Sequence, residues 1–395
     1  MFYLGIDIGK NNHVASMLDD EKKLIFKGFS FSNTTEGGES LLSKLESYGA
    51  KSDNLTVGLE ATGHYWLSVY SFLNKKCFCQ HVINPIQTDG WRKGIEIRKH
   101  KTDKIDSVVI ADLIRHGNTV ETNLPDEAIL SLKALSRFRT YLVDSISDTK
   151  RKAICLLDQI FPEYQSIFSD VFGTTSKEIL LQYSSPAELE KLSVNTLTDL
   201  LEKLSRKRIG SEKANQLSSA AKSSFGVIFC RDSFTFQLRM ILKQIEYIES
   251  QVKDTEKEIK RIMEKVSSQI TTIPGIGETL GAVILGEIGD IAKFNTPKKL
   301  VAFSGIDASV KQSGEFESSK NKMSKRGSPY LRRALFQAAL VASVGNRADT
   351  VLSDFYKKKI AEGKHHKTAV GAVARKMCNI IYWVLKNNQP YEVRK

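Results

Sequence analysis

The segment KHKTDKIDSVVIADLI (residues 99–114) sets two aspartates, Asp103 and Asp106, inside a basic run of Lys99, Lys101 and Lys104, where an apolar helix begins. Three positions apart on a helix, the two carboxylates share one face. Two readings fit. Either Thr102 or Asp103 caps the helix, with acids suited to the positive end of its dipole, or the pair holds a metal ion while the lysines hold a polyanion. The preceding segments set the fold around this helix. FYLGIDIG (2–9) alternates as a buried strand carrying Asp7, and HVASMLDD and KKLIFKGFSFSN follow as hairpin partners, with turns at Asn11–Asn12 and Asp19–Asp20. EGGESLLSKLESYG reads as a helix ending at Gly49, NLTVGLE as a strand closing on Glu60, HYWLSVYSFLNKK as a helix, and CFCQHVIN as a strand stopped by Pro85. Three strands, then helix, strand, helix and strand, then the helix at Asp103: this order predicts an α/β layout with antiparallel strands leading and crossover connections following.

At 395 residues the chain has room for two or three domains. No apolar run approaches the roughly 20 residues of a membrane span. MFYLGIDIGK meets an aspartate too early for a secretory signal. Five cysteines, scattered apart from Cys77 and Cys79, make no disulfide framework and lack zinc-ligand spacing. A reduced, cytoplasmic protein with no membrane partner is expected. The net charge of +13 points to an acidic partner. Its distribution is lopsided: residues 320–376 hold 14 Lys and Arg against 3 Asp and Glu. A solvated face is the plain reading of any basic run, but this concentration favours phosphate binding.

From about 126 to 160 the pattern is helical, and residues 161–230 read as further helices with polar breaks such as QYSSPAELE, without recognisable chemistry. In 234–266, Leu238, Ile241, Ile245, Ile248, Val252, Thr255, Ile259, Ile262 and Val266 alternate steps of three and four, predicting a long coiled-coil helix. The seam does not distinguish pairing within the chain from pairing between chains. Beyond it, Gly275 and Gly277 in IPGIG make a tight turn opening an apolar helix from about Glu278. NTPKKLVAFSGI is a short helix and DASVKQSGEFESSKNKMSKRG a polar loop or hairpin. SPYLRRALFQAALVASVG is a helix capped by Ser328, and a basic helix spans roughly 366–386. The expected domains are 1–125, a helical and coiled-coil region at 126–270, and a C-terminal helical domain at 271–395.

Asp7, Glu60, Asp103 and Asp106 are four carboxylates from three distant segments, the hard-oxygen set that a two-metal phosphoryl-transfer site requires. Each alone has a plainer reading. GIDIG also opens actin-like kinases, Glu60 can be a surface residue and Asp103 a cap; the order of strand-D, strand-E and helix-DxxD carries the combination. At these residues GIDIGK, GLEATGHYW and KTDKIDSVVIADLI resemble the DEDD-type, RuvC-like N-terminal domain of the IS110 family of insertion-sequence transposases, relatives of the Piv-type DNA invertases. IPGIGETLGAVILGEIGDIAKF, LVAFSGI, KQSG and MSKRGSPYLRRAL are similar to that family's C-terminal region. The resemblance implies an RNase H-like N-terminal fold and an acidic tetrad of Asp7, Glu60, Asp103 and Asp106 holding Mg²⁺, two ions per site. It further implies a serine nucleophile at Ser313 that joins the protein to a DNA end. On chemistry alone the reading of Ser313 as a turn residue is the stronger one, and Ser309, Ser318, Ser319 and Ser324 are its rivals.

IPGIG resembles a helix–hairpin–helix turn whose backbone N–H groups at Gly275 and Gly277 can grip a phosphate, although a plain helical corner fits as well. Lys322, Lys325 and Arg326, with Arg332 and Arg333 on the following helix, suit backbone contact that positions nucleic acid without reading its sequence. No helix-turn-helix or zinc finger is recognisable in the sequence. The resemblance supplies another route to specificity, a structured guide RNA encoded beside the gene that pairs with target and donor DNA. Strand exchange holds several ends at once, so a homo-oligomer, dimer or tetramer, is expected. Three other readings stand beside this one: a RuvC-like junction nuclease using water, an actin-like kinase, and a non-enzymatic nucleic-acid scaffold. The kinase would need a second glycine-rich phosphate loop, for which VFGTTSK is a poor match.

Overall fold

Five strands, β1 (Phe2–Asp7), β2 (Asn12–Asp19), β3 (Leu24–Ser32), β4 (Leu55–Glu60) and β5 (Cys79–Ile83), form one mixed sheet in the order β3-β2-β1-β4-β5. β1, β2 and β3 pair antiparallel, and β4 and β5 join in parallel. Helices α1 (Thr35–Glu46), α2 (Trp66–Lys75), α3 (Pro85–Ile95) and α4 (Asp103–Arg115) complete the first of two compact units, Met1–Leu124. Strand alternation splits its core. Leu4, Ile6, Ala15, Met17, Val57 and Leu59 pack with Leu41 and Leu45 of α1 and Val69 and Leu73 of α2. On the opposite face Tyr3 and Ile83 meet Ile110, Leu113 and Ile114 of α4.

The computed structural model describes residues 1–395 except 96–101, 118, 309–311, 314–315, 318–321, 345–350 and 393–395, and only the backbone of Ile95, Gln312–Ser313 and Phe316–Glu317. The strands and the helices α1, α2 and α4 fall where the sequence reading put them, apart from Asn12, which opens β2 instead of lying in a turn. Pro85 is a correction. It does more than stop β5: it opens α3, where its missing N–H costs nothing, and Asn84 Oδ1 accepts from Ile86 N at 3.0 Å.

The second unit, Pro125–Lys395, is helical. α5 (Glu127–Ile160) is a single 34-residue helix, and five helices follow, α6 (Tyr164–Ile167), α7 (Thr174–Gln182), α8 (Pro186–Glu190), α9 (Val194–Ser205) and α10 (Ser211–Lys222). QYSSPAELE is only partly a break, because a Ser185–Glu188 capping box starts α8 inside it. The seam helix α11 (Arg231–Met263) lies along α5, with Arg139 Nε donating to Glu256 Oε1 at 2.8 Å. Its buried row runs through Leu238, Leu242, Ile245, Ile248, Thr255, Ile259 and Ile262. Leu242 replaces the expected Ile241, Val252 is only half-buried and Val266 lies past the helix end. The seam expected to form a coiled coil thus packs against α5 of the same chain.

The C-terminal part consists of α12 (Glu278–Ile288), α13 (Pro297–Ser304), the two-residue strands β6 (Gln312–Ser313) and β7 (Phe316–Glu317), α14 (Pro329–Val344), α15 (Val351–Ala361) and α16 (His366–Asn387). α15 was not anticipated. Its core joins Ile284 and Leu285 of α12, Leu331 and Leu335 of α14 and Val373 and Met377 of α16, and includes Leu132 of α5. No helix among the described residues is long and apolar enough to cross a membrane.

Candidate active site and nucleic-acid interface

The face each carboxylate takes follows from the strand period. Since Leu4 and Ile6 face α1 and α2, Asp7 stands with Tyr3 and Gly5 on the α4 side; on β4, Glu60 stands there with Gly58. The parallel register ends at Ile6–Leu59. Asp7 and Glu60 are the next residue on each strand, just past the last paired step. α4 runs antiparallel to β1. Near its C-terminus, Arg115 Nη1 donates to Asp20 O (3.2 Å) and Asp112 Oδ2 accepts from Lys22 Nζ (3.2 Å), both beside the start of β1. Its first turn, with Asp103 and Asp106, therefore lies towards the end of the sheet that carries Asp7 and Glu60.

Two glycines allow this approach. A Cβ on Gly5 would stand 2.0 Å from Ser107 O and 2.4 Å from Ala111 N; on Gly58, the register partner of Gly5, it would stand 2.8 Å from Ile110 Cγ2. Paired across the sheet, they form the trough in which α4 lies. A hydrogen-bond chain, buried at its centre, fixes the helix along that trough: Gly28 N to Ser16 Oγ (2.9 Å), Ser16 Oγ to Ser107 Oγ (2.7 Å) and Ser107 Oγ to Lys104 O (3.1 Å). An amide at one end can only donate and a carbonyl at the other can only accept, so every hydroxyl in between has one direction.

Thr102 is the cap, its Oγ1 accepting from Ile105 N at 3.3 Å. Asp103 is exposed and Asp106 is buried. Arg92, on the unanticipated helix α3, pairs with Asp106 Oδ1 at 3.1 Å. Glu60 Oε1 accepts from Thr62 Oγ1 at 3.3 Å. Among the described residues no three carboxylate, imidazole or thiolate groups come close enough together to hold a metal ion. The charge that faces Asp106 is thus the Arg92 guanidinium. Asn84–Pro85, a cap followed by a first-turn proline, was the sequence signal that would have revealed α3 and with it Arg92. Nearly two turns further along α4, buried Asp112 accepts from Arg115 Nη2 (3.0 Å), Lys22 Nζ and Trp91 Nε1 (3.3 Å). Burial pushes its carboxyl up, but Arg115 and Lys22 prevail and hold it below the usual range.

Of the basic positions in this unit, Lys99 and Lys101 lie outside the described residues. Lys104 is exposed, with its stem lying over Gly28.

In the second unit, Ser313 pairs with Phe316 in the β6–β7 hairpin; its side chain lies outside the description, as do Ser309, Ser318 and Ser319. The base of this segment is pinned by an Ala308–Met323 bridge and by Ser324 N donating to Asp307 O at 2.9 Å. The hydroxyl of Ser324 is itself engaged by the Asp307 carboxylate. Lys322, Lys325 and Arg326 are exposed. Arg332 Nη1 donates to Ser304 O (3.3 Å) and Gly327 O (3.4 Å), and Arg333 Nη1 to both carboxylate oxygens of Asp144 (2.9 Å). Both arginines thus have partners inside the chain. The IPGIG turn is seated on α14: Gly275 has φ +85°, and a Cβ there would lie 2.4 Å from Ala338 O, whereas Gly277 faces open space at the start of α12. Buried Glu287 receives Arg137 Nε (2.6 Å) and Nη2 (3.0 Å) and Ser328 Oγ (2.8 Å). This joins α12, α5 and the cap of α14. Burial opposes its ionisation, yet Arg137 and Ser328 hold its carboxyl below the usual range.

The DEDD-type IS110 family model, described as a transposase, matches residues 4–162, and that of the transposase IS116/IS110/IS902 family matches residues 267–357. The chain belongs to the IS110 family of transposases. Two relatives match it over nearly their whole lengths. This IS110-family transposase is 25% identical to the pilin gene-inverting protein of Moraxella lacunata over 99% of this chain and 98% of that one. It is 22% identical to the 44.8 kDa protein of insertion element IS116 from Streptomyces clavuligerus, over 98% and 95%. A T. thermophilus RuvC structure with a Holliday junction substrate aligns over 31% of the transposase and 99% of its own chain, at 13% identity and a TM-score of 0.24, an overlap too loose to bear on the fold.

Proposed function

We propose that this transposase cuts and exchanges DNA strands at the end of the sheet where Asp7, Glu60 and the first turn of α4 converge, and that its N-terminal unit is RNase H-like. The strand order, three antiparallel strands followed by two parallel ones, supports that fold. The observation that carries the functional reading is the seating of α4: two glycines and a chain of hydroxyls set it on the sheet face that Asp7 and Glu60 share, with the Asp103–Asp106 turn towards their end of the sheet. Four carboxylates are the donor chemistry a hard divalent ion takes. Asp7, Glu60, Asp103 and Asp106 would hold Mg²⁺, one ion or two, with Asp106 released from Arg92. Bound there, the metal would neutralise charge at a phosphodiester and lower the pKa of an attacking hydroxyl.

Ser313 is the nucleophile in this reading. Its Oγ forms a bond to phosphorus, losing its proton, as the bond from phosphorus to the departing deoxyribose oxygen breaks and that oxygen gains a proton. Lys104, Lys322, Lys325 and Arg326, being exposed, suit phosphate contact, and Gly277 leaves room for a phosphate at the start of α12. Sequence choice falls to a structured RNA that pairs with target and donor DNA. A homo-oligomer holds the ends, through a surface other than the α11 seam that α5 already fills.

The test is a strand-cleavage assay with the protein expressed beside its native flanking DNA, its bound RNA sequenced, and Ser313→Ala compared. A discrete RNA from the flank and loss of covalent protein–DNA product in the variant support the reading. Unchanged cleavage by Ser313→Ala would replace serine with water and leave a metal-dependent nuclease.

A further inference from the structure

On the sheet face opposite α4 lies a cavity of about 250 Å³ between β2, β3, α1 and α2. His13 lines its floor. The ring is wholly buried, and neither Nδ1 nor Nε2 has a hydrogen-bond partner. Its neighbour Asn33 has both ends committed, Oδ1 accepting from Ser68 Oγ (2.8 Å) and Nδ2 donating to Lys10 O (3.3 Å). A buried polar group left unsatisfied costs about 1–3 kcal/mol, and a leucine would serve a purely apolar floor better. Phe31 packs beside the imidazole with ring centroids 5.1 Å apart. Phe72 lies against α1 because Gly38 has no Cβ; one placed there would stand 2.7 Å from the ring. The rim is polar and open, with Thr34, Thr35 and Ser68 exposed.

We propose that this cavity receives a single unpaired nucleobase, stacked on the phenylalanine wall and hydrogen-bonded by His13. The inference rests on the nucleic-acid reading above. A flat, neutral ring with donors and acceptors on its edge matches one wall of aromatic carbon and one imidazole with a donor and an acceptor. An anion fits poorly, since burial depresses the pKa of the imidazole and holds it neutral; the nearby Asn33 amide pulls the other way and is the weaker effect, without reaching hydrogen-bond geometry. The location suits a substrate strand. His13 adjoins Val14, the register partner of Asp7, so the cavity and the carboxylates occupy the same end of the sheet on opposite faces. A nucleotide rotated out of its stack could be captured there while its strand lies at the carboxylates.

The experiment measures binding of the full-length protein to a DNA hairpin with one unpaired 2-aminopurine, to its RNA counterpart, and to a fully paired DNA duplex, by titration and 2-aminopurine fluorescence. Wild type is expected to bind one unpaired probe about ten-fold more tightly than the duplex; whether that probe is DNA or RNA identifies the source of the base. Two variants, His13→Leu and the rim-blocking Thr35→Trp, are expected to lose the preference and the fluorescence change, with melting temperatures at or above wild type. Equal affinity for all three probes overturns the pocket and leaves the nucleic-acid reading standing. A His13→Leu protein that melts higher and keeps the preference overturns it too, making His13 a structural residue. Failure to bind any probe removes the nucleic-acid reading and the pocket with it.

Discussion

Replacing Gly5 with alanine tests the site's construction most directly. The new Cβ would stand 2.0 Å from Ser107 O and 2.4 Å from Ala111 N, both backbone atoms of α4 that cannot rotate away. Carbon–oxygen contacts settle near 3.3 Å, so α4 must withdraw from β1 by roughly 1.3 Å. Overpacking of this kind costs about 1–3 kcal/mol. Breaking the 2.7 Å Ser16–Ser107 bond leaves a buried hydroxyl unsatisfied for about 1–3 kcal/mol more. A loss of about 3 kcal/mol should lower the melting temperature of the N-terminal unit by roughly 10 °C. The same shift moves Asp103 and Asp106 away from Asp7 and Glu60, and a misplacement of about 1 Å can reduce turnover roughly 10²-fold. Gly90→Ala is the control: it sits in α3 with nothing within 4 Å, so alanine should be neutral or stabilising by about 0.5–1 kcal/mol. Thermal unfolding and strand cleavage read both variants. A Gly5→Ala protein that melts within about 2 °C of its parent and cuts DNA normally would refute the close-packed trough.

Asp7→Asn and Glu60→Gln should each abolish strand cleavage by more than the roughly 10–100-fold lost with a merely supporting residue. Their melting temperatures should stay near wild type, since both groups sit at strand ends; gel assays and thermal melts check this together. Arg137→Ala strands a buried Glu287 carboxylate and should cost about 3–5 kcal/mol, read by denaturant unfolding. Because the folded pKa of Glu287 is lowered, its ionised form stabilises the fold above the ordinary carboxylate value, and that contribution disappears as pH falls through the lowered value. Glu287→Gln should therefore be less stable than wild type at neutral pH and show a flatter loss below about pH 4.5. Parallel slopes in an acid-unfolding series would remove Glu287 from that role.

The sheet was legible because each strand carries a period-two pattern bounded by turns, and α4 because Thr102 precedes an apolar run. Asp7 and Glu60 could be assigned to strand ends for the same reason. What the pattern could not carry was the partner of a charge: Arg92 meets Asp106 only because α3 exists, and α3 was concealed by reading Pro85 as a stop. The α11 seam was visible, yet its partner α5 lies some hundred residues earlier, a distance that periodicity does not encode. Arg332 and Arg333 read as free cations because their acceptors, backbone carbonyls and Asp144, come from remote segments. Gly275 read as a turn residue, while its contact with α14 depends on the fold.

The position of α5 has a consequence for cutting this protein into pieces. The N-terminal family match runs to residue 162 and includes the whole of α5, yet that helix folds with the C-terminal unit, where Leu132 enters the core and Arg137 neutralises Glu287. A fragment ended at the family boundary would carry 34 residues of helix whose apolar stripe had lost α11 and α12, and such a stripe promotes aggregation. A fragment ended at Leu124 keeps the sheet, its four helices and all of Asp7, Glu60, Asp103 and Asp106 without that stripe. Homology and folding thus draw the boundary about forty residues apart, and expression trials should follow folding.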